Sequence, residues 1–247
     1  MKDIMMIHSR SGTGNNMSAM AIALIAPLLI QAASAADAPS ASQAEAKAEA
    51  TLRQMTPQEK TILTIGIMPL PIGPNAPKPP AEAIPGAGYI AGLPRLNVPS
   101  LRETDASLGV SYVFGLRKDG ATALPSGLSM ASTWNSTLIE EGGRMIGSEA
   151  RAKGFNVLLA GGANLMRDPR NGRNFEYLGE DPLLAGTLAG HAIRGVQSNH
   201  IIATIKHFAL NGQETGRKFV DSLITPAAAH ESDLLAFKLG IEIGNPG

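Results

Sequence analysis

The sequence predicts an α/β fold in which parallel strands are joined by crossover helices, and three observations carry that prediction. Two short apolar runs, "FNVLLA" (155–160) and "IIATIKHF" (201–208), have the length of buried strands. The segments before, between and after them carry helical periodicity, beginning with "TLIEEGGRMIGSEARAKG". Two pairs, Asp181-Pro182 and Thr225-Pro226, read as N-cap and first helical residue where the second and third of these helices should begin. Helix, strand, helix, strand, helix is the order of crossovers on a parallel sheet.

Taken from the start, the chain of 247 residues is 44% apolar, enough to bury a core. Residues 1–35 are expected to form a secretory leader with an upstream extension. The run 19–30 is apolar but short for a membrane span, small residues follow at Ala33-Ser34-Ala35, and Lys2 and Arg10 lie well upstream with Met17 as an alternative start. The expected destination is therefore the periplasm or the exterior, with no membrane attachment after leader removal. Residues 36–50, small and alanine-rich, read as a linker or a loosely packed helix, so the ordered domain is expected over 51–247.

Within that domain, Thr56, Pro57 and Glu59 form a capping-box pattern with a helix behind it. The Pro- and Gly-rich stretch 66–88 reads as a long loop. Weaker strand candidates are "YIAG" near residue 90, "SLRET" at 100–104 and "SGLSMAS" at 126–132, which brings the expected total to about five strands. Gly154 ends the helix that precedes "FNVLLA". The final segment, "AAAHESDLLAFKLGIEIG", reads as one helix.

Composition removes several classes of function. The 21 basic and 21 acidic side chains cancel, so no general field draws nucleic acid or an anionic membrane. No cysteine is present, which excludes disulfides, thiolate metal sites and a cysteine nucleophile. His8, His191, His200, His207 and His230 are scattered without metal-ligand spacing, and neither a metal nor a cofactor is expected. The glycines of "SRSGTGNN" lack the Lys-Ser/Thr ending of a phosphate loop.

The charges that do occur are concentrated. Seven lie in "NLMRDPRNGRNFEYLGEDP" (164–182), the segment after the 155–160 strand. Asp105 follows "SLRET", Lys206 and His207 end the 201–208 strand, and Arg217 lies in the loop beyond. In a parallel sheet these positions share the face at the C-terminal ends of the strands, where such folds build their sites. Each also has a plain reading: Asp105 as a turn residue, Lys206-His207 as a solvated strand end, the loop charges as a network pairing only with itself.

"RDPRNGRNFEYLGEDPLLAG", followed by "KHFALNGQETGR" and preceded by "ETDASLGV", resembles the N-terminal barrel domain of glycoside hydrolase family 3, the β-glucosidase type. The resemblance runs from about residue 51 onward. It implies a (β/α)8 TIM-like barrel followed by an α/β sandwich. With about five strands the barrel is expected to be incomplete, leaving two parallel edges open. The implied reaction is retaining hydrolysis of terminal β-glucosidic bonds, on a small β-glucoside or oligosaccharide.

The resemblance implies that Asp105 takes two sugar hydroxyls while Arg173, Lys206, His207 and Arg217 hold the others. These side-chain types suit the task, since a carboxylate accepts from vicinal hydroxyls and Lys and Arg donate to sugar oxygens. Arg173 is expected to point into the pocket, with Asp168, Arg170, Glu176, Glu180 and Asp181 pairing to hold the loop. Tyr177 and Phe175 are expected to pack beneath it or else to stack on the sugar.

The departures concern the chemistry. Retaining hydrolysis needs two carboxyl groups about 5 Å apart, and the family takes its nucleophile from a Ser-Asp-Trp-like motif. The only tryptophan, Trp134 in "ASTWNST", has no aspartate beside it. The expectation is a chain truncated before the nucleophile, holding part of the sugar site and neither catalytic carboxylate; the alternative is a non-catalytic sugar-binding remnant. A barrel enzyme for phosphorylated substrates is disfavoured by the missing phosphate loop. Gly212 stands where relatives often show Asp, which is expected to loosen the loop carrying Arg217.

Overall fold

The computed structural model describes residues 41–71, 78–111, 113 and 115–247. The expected leader and the first part of the expected linker lie outside the described residues. Helix α1, Ala41–Leu52, is alanine-rich, and its residues 42–50 are exposed. Helix α2, Pro57–Thr64, begins on the full capping box: Thr56 accepts from the Glu59 N–H and the Glu59 carboxylate takes the Thr56 N–H at 2.9 Å.

The sheet has four strands in the order β1-β2-β3-β4: β1 Gly88–Ile90, β2 Leu101–Asp105, β3 Val157–Leu159 and β4 Ile202–Ala203. Strands β2, β3 and β4 are parallel, with Glu103 opposite Val157 and Val157 opposite Ile202. Strand β1 departs from the expected parallel arrangement and runs antiparallel to β2, Tyr89 pairing with Arg102. Only a single 3₁₀ turn, Pro94–Leu96, lies between them, and so short a connection cannot carry the chain back for a parallel partner. Beyond β4 the ladder with β3 continues intermittently, the Lys206 N–H donating to Gly161 at 3.0 Å.

Helices α4, Ser136–Ala152, and α5, Pro182–Gln197, cross between β2 and β3 and between β3 and β4, and α7, Asp233–Gly244, packs on α5. Their starts are set locally. Asn135 caps α4 by accepting from the Leu138 N–H, and Asp181 caps α5 from the Leu184 N–H at 2.7 Å with Pro182 behind it. A methyl group on Gly195 of α5 would run into the carbonyl oxygen of Glu140, so α4 and α5 approach closely because this position has no side chain. Ile146, Phe155, Leu158, Ile193 and Ala203 form one part of the core; Ile139, Leu188, Ala236 and Phe237 form another.

Two expectations are corrected. "SGLSMAS" is not a strand: it contains helix α3, Gly127–Ala131, started by Ser126, whose hydroxyl accepts from the Ser129 N–H at 3.3 Å. The short serine-capped turn outweighs the apolar residues, and only Gly127 and Ala131 of the helix are buried. The last helix is two, α6, Pro226–Glu231, and α7, because the backbone leaves helical geometry at Ser232 with ψ −98°. Four strands are therefore found among the described residues rather than about five.

Candidate functional site

The strand-end positions owe their convergence to register. Asp105 is the last residue of β2 and pairs with Leu159 of β3; one step further, Gly162 bridges to Lys206. The three adjacent strands thus deliver Asp105, the β3–α5 loop and Lys206-His207 to one face.

The loop after β3 is folded onto that face from the inside. Asn164, fully buried, takes the His207 N–H on its side-chain oxygen at 2.7 Å and donates from its amide nitrogen to the His207 carbonyl at 3.1 Å. Farther along, residues Asn174–Glu176 form a 3₁₀ turn with Arg173 as its N-cap. In that geometry side chains three apart lie one above the other, which sets Arg173 over Glu176. Gly162 admits the loop: a Cβ there would stand 2.5 Å from the Glu176 carbonyl oxygen.

Here the charged groups meet. Lys206 donates to Asp105 Oδ1 at 3.0 Å and lies 3.6 Å from Glu176 Oε2. Glu176, whose side chain is only 3% exposed, accepts from Arg173 Nε at 2.5 Å and from the Ser107 hydroxyl at 2.8 Å. Arg173 reaches on to His207 Nε2 at 2.6 Å. A guanidinium has no acceptor, so His207 Nε2 must accept and the ring proton must sit on Nδ1. That nitrogen faces the Tyr177 hydroxyl at 3.3 Å, and the hydroxyl also takes a bond from Asn211 Nδ2 at 2.9 Å and can donate to the Asn211 carbonyl at 3.4 Å. Asn211 continues to Glu214 at 3.1 Å, which holds Arg217 at 3.0 Å.

Electrostatics follow from this packing. Burial, and then the neighbouring charges of Arg173 and Lys206, push His207 down to about 4 from its ordinary 6.5, so the imidazole is neutral near pH 7. Burial likewise raises the Tyr177 hydroxyl, keeping it a neutral donor and acceptor. Away from the cluster, hydrogen bonds from the Arg170 side chain and backbone hold Asp168 down at about 2. Among the described residues no three of His, Asp and Glu gather as metal ligands do. A polar cleft of about 360 Å³, lined by Asp168, Asn171, Gly212, Glu214 and Thr215 among others, lies between the two loops.

Of the five residues singled out from the sequence, Asp105, Arg173, Lys206 and His207 lie in one contiguous cluster, while Arg217 joins it only through Glu214, Asn211 and Tyr177. Arg173 is not free: it is tied to Glu176 and His207. Asp168 does pair with Arg170, but Asp181 spends its side chain capping α5, and Arg167 instead pairs with buried Asp233 across the molecule. Tyr177 is buried whereas Phe175 is 55% exposed: Phe175 lies in the 3₁₀ turn, and Tyr177, just past it, is in extended backbone that carries it into the core. Asn164, Ser107 and Asn211 were not singled out beforehand; the one signal in the sequence is that Asn164 opens the charged segment after the 155–160 run.

The profile of the "Glycosyl hydrolase family 3 N terminal domain" matches residues 89–245. The chain belongs to glycoside hydrolase family 3. It is 37% identical over 195 residues to "Probable beta-glucosidase I" of Neosartorya fischeri, covering 79% of this chain and 21% of that protein. A beta-glucosidase of Bacteroides ovatus is 37% identical over 208 residues, covering 81% of this chain and 25% of its own length. Among solved structures, beta-glucosidase 3B of Thermotoga neapolitana, in complex with glucose, superposes with a TM-score of 0.74 at 36% identity, over 81% of this chain and 28% of that one. This family 3 chain thus spans about a quarter of the length of the relatives it matches.

Proposed function

We propose that the cluster around Lys206 holds one neutral hexose unit of a β-glucoside, within the hydrolysis of terminal β-glucosidic bonds. The observation that carries this reading is the bridging of Asp105 and Glu176 by the single Lys206 ammonium, with Arg173 joining Glu176 to His207. Two cations stand against two carboxylates beside a neutral imidazole, so the formal charge of the cluster is zero. A pyranose carries no charge and offers both donors and acceptors, which such a mixed surface can meet; a phosphate would need an excess of donors. Asp105, exposed at the strand end, is the carboxylate open to hydroxyls.

None of the carboxylates in this cluster is placed to do the bond-breaking. Glu176 is closed in by Arg173 and Ser107 with the Lys206 ammonium 3.6 Å away, Glu214 is occupied by Asn211 and Arg217, and Asp105 is bound to Lys206. A retaining reaction needs one carboxylate free to attack and a second to deliver a proton. We therefore infer that these residues contribute hexose binding and that the reacting pair is not drawn from them. The second reading, a sugar-binding protein without turnover, rests on the same observation.

The test is a titration of the 247-residue chain with glucose, by calorimetry or NMR, alongside an assay on an aryl β-glucoside. The expected result is saturable glucose binding that falls at least about tenfold in Lys206→Ala, the loss of one charge-assisted bond, with no turnover. Turnover that disappears in Lys206→Ala would move the reacting carboxylates into this chain, and absence of any glucose binding would defeat the hexose reading.

A further inference from the structure

We propose that Glu176 is a positioning residue of this site, the shared counter-charge that fixes the directions of Arg173 and Lys206 without itself touching the sugar; the part concerning sugar rests on the hexose reading above. Three observations lead there. The Glu176 side chain is closed to solvent and so has no face for a ligand. Its two oxygens are divided between the two cations: Oε1 receives Arg173 Nε at 2.5 Å, while Oε2 faces Lys206 Nζ at 3.6 Å and receives the Ser107 hydroxyl at 2.8 Å. The outward ends of the same two cations are then left for the groups at the open face, Arg173 for His207 and Lys206 for Asp105.

The physical reason for such a residue is repulsion. Arg173 and Lys206 both lie against one carboxylate, so without its charge two cations would face each other at close range in a partly desolvated site, where like charges interact strongly. Both side chains have long flexible stems and an open side at Asp105 through which to leave. Of the other loop acids, Asp168 is held by Arg170, Asp181 caps α5, and Glu180 lies exposed at the surface. The 3₁₀ turn that stacks Arg173 on Glu176 builds the pairing into the backbone.

The experiment uses the full 247-residue chain and Glu176→Gln, which keeps the shape and removes the charge. Three readings are taken: glucose affinity, the arginine Nε–H resonance of Arg173, and the titration of His207 followed through its ring protons. In the variant, glucose affinity is expected to fall about tenfold, the loss of one charge-assisted contact. The Arg173 resonance should lose its protection from exchange, and His207 should titrate lower still, because the Glu176 charge is one of the forces raising it. Ser107→Ala, which removes only a neutral donor, should change affinity less than about threefold.

Affinity within twofold of the parent together with an unchanged Arg173 resonance would overturn the proposal and leave the hexose reading standing. If the parent chain binds no glucose while Glu176→Gln still releases the Arg173 proton and shifts His207, the hexose reading fails and the positioning role survives. Should the Gln variant not fold, Glu176→Asp, which keeps the charge but withdraws it by one methylene, is read on glucose affinity and on the Arg173 resonance, where the same losses are expected and their absence overturns the proposal.

Discussion

The loop from β3 to α5 and the loop from β4 to α6 leave neighbouring strands on the same face, yet they are held by different means. The first is tied to elements outside itself: Asn164 clamps the His207 peptide, Arg167 pairs with Asp233 at the start of α7, Arg173 reaches His207, and Tyr177 is buried. The second, past Asn211, is tied mainly to its own residues, through Glu214 with Arg217 three positions on, and it carries Phe219 and Leu223 at 91% and 96% exposure. The difference teaches that Lys206 and His207, though they open the second loop, take their order from the first. A contact that spans distant parts of the chain removes conformational freedom that a contact between near neighbours leaves.

Breaking the first loop should cost most. Asn164→Ala leaves the part-buried N–H and carbonyl of His207 without partners, and each buried group left unsatisfied costs about 1–3 kcal/mol. A loss of about 3 kcal/mol is expected in denaturant unfolding, with glucose binding lost together with it. An unfolding midpoint unchanged from the parent would show that the clamp orders nothing.

Acid sharpens the comparison at the junction of the two loops. His207 is held below its ordinary value in the fold, so the unfolded chain binds a proton first as the pH drops. The contribution of neutral His207 to stability is complete above about 6.5 and declines as the pH falls toward about 4. Fluorescence or NMR melting curves across this window should show stability falling with acid, and Lys206→Met, by removing one nearby positive charge, should move the His207 titration upward. A His207 that titrates near 6.5 in the folded chain would mean that the ring is neither buried nor faced by Arg173 and Lys206.

The smallest effect is expected in the second loop. Arg217 and Glu214 form a partly exposed pair three residues apart, a class worth less than about 1 kcal/mol. Arg217→Ala should change the unfolding free energy by no more than about 0.5 kcal/mol, and glucose affinity less than Arg173→Ala does. Equal losses from the two arginine variants would abolish the distinction between the loops and place Arg217 among the residues that grip sugar directly.

Much of this architecture is legible from local patterns. The helix starts at Thr56, Asp181 and Thr225 are each one or two residues of capping chemistry, and the structure uses all three. Gly154 ends α4 in the left-handed conformation that its position requires, φ +89°. The failures are equally local. In 126–132 a serine cap outweighs an apolar run, and at Ser232 a break that no proline announces splits the last helix. The antiparallel course of β1 turns on the length of its connection to β2, which alternation within the strand does not reveal.

What the sequence alone determined about this protein is its family and the chemical types at the strand ends, because motif residues and capping signals are carried by neighbours along the chain. What only the tertiary structure decided is which charge answers which. Arg173 could have paired with any of four acids in its own loop, and it is the 3₁₀ turn and the burial of Glu176 beneath Lys206 that select one. Charge pairing depends on distance and desolvation, and both are set by strands far apart in sequence: β2 supplies Asp105, and the bridge from Gly162 to Lys206 brings the ammonium within reach of it.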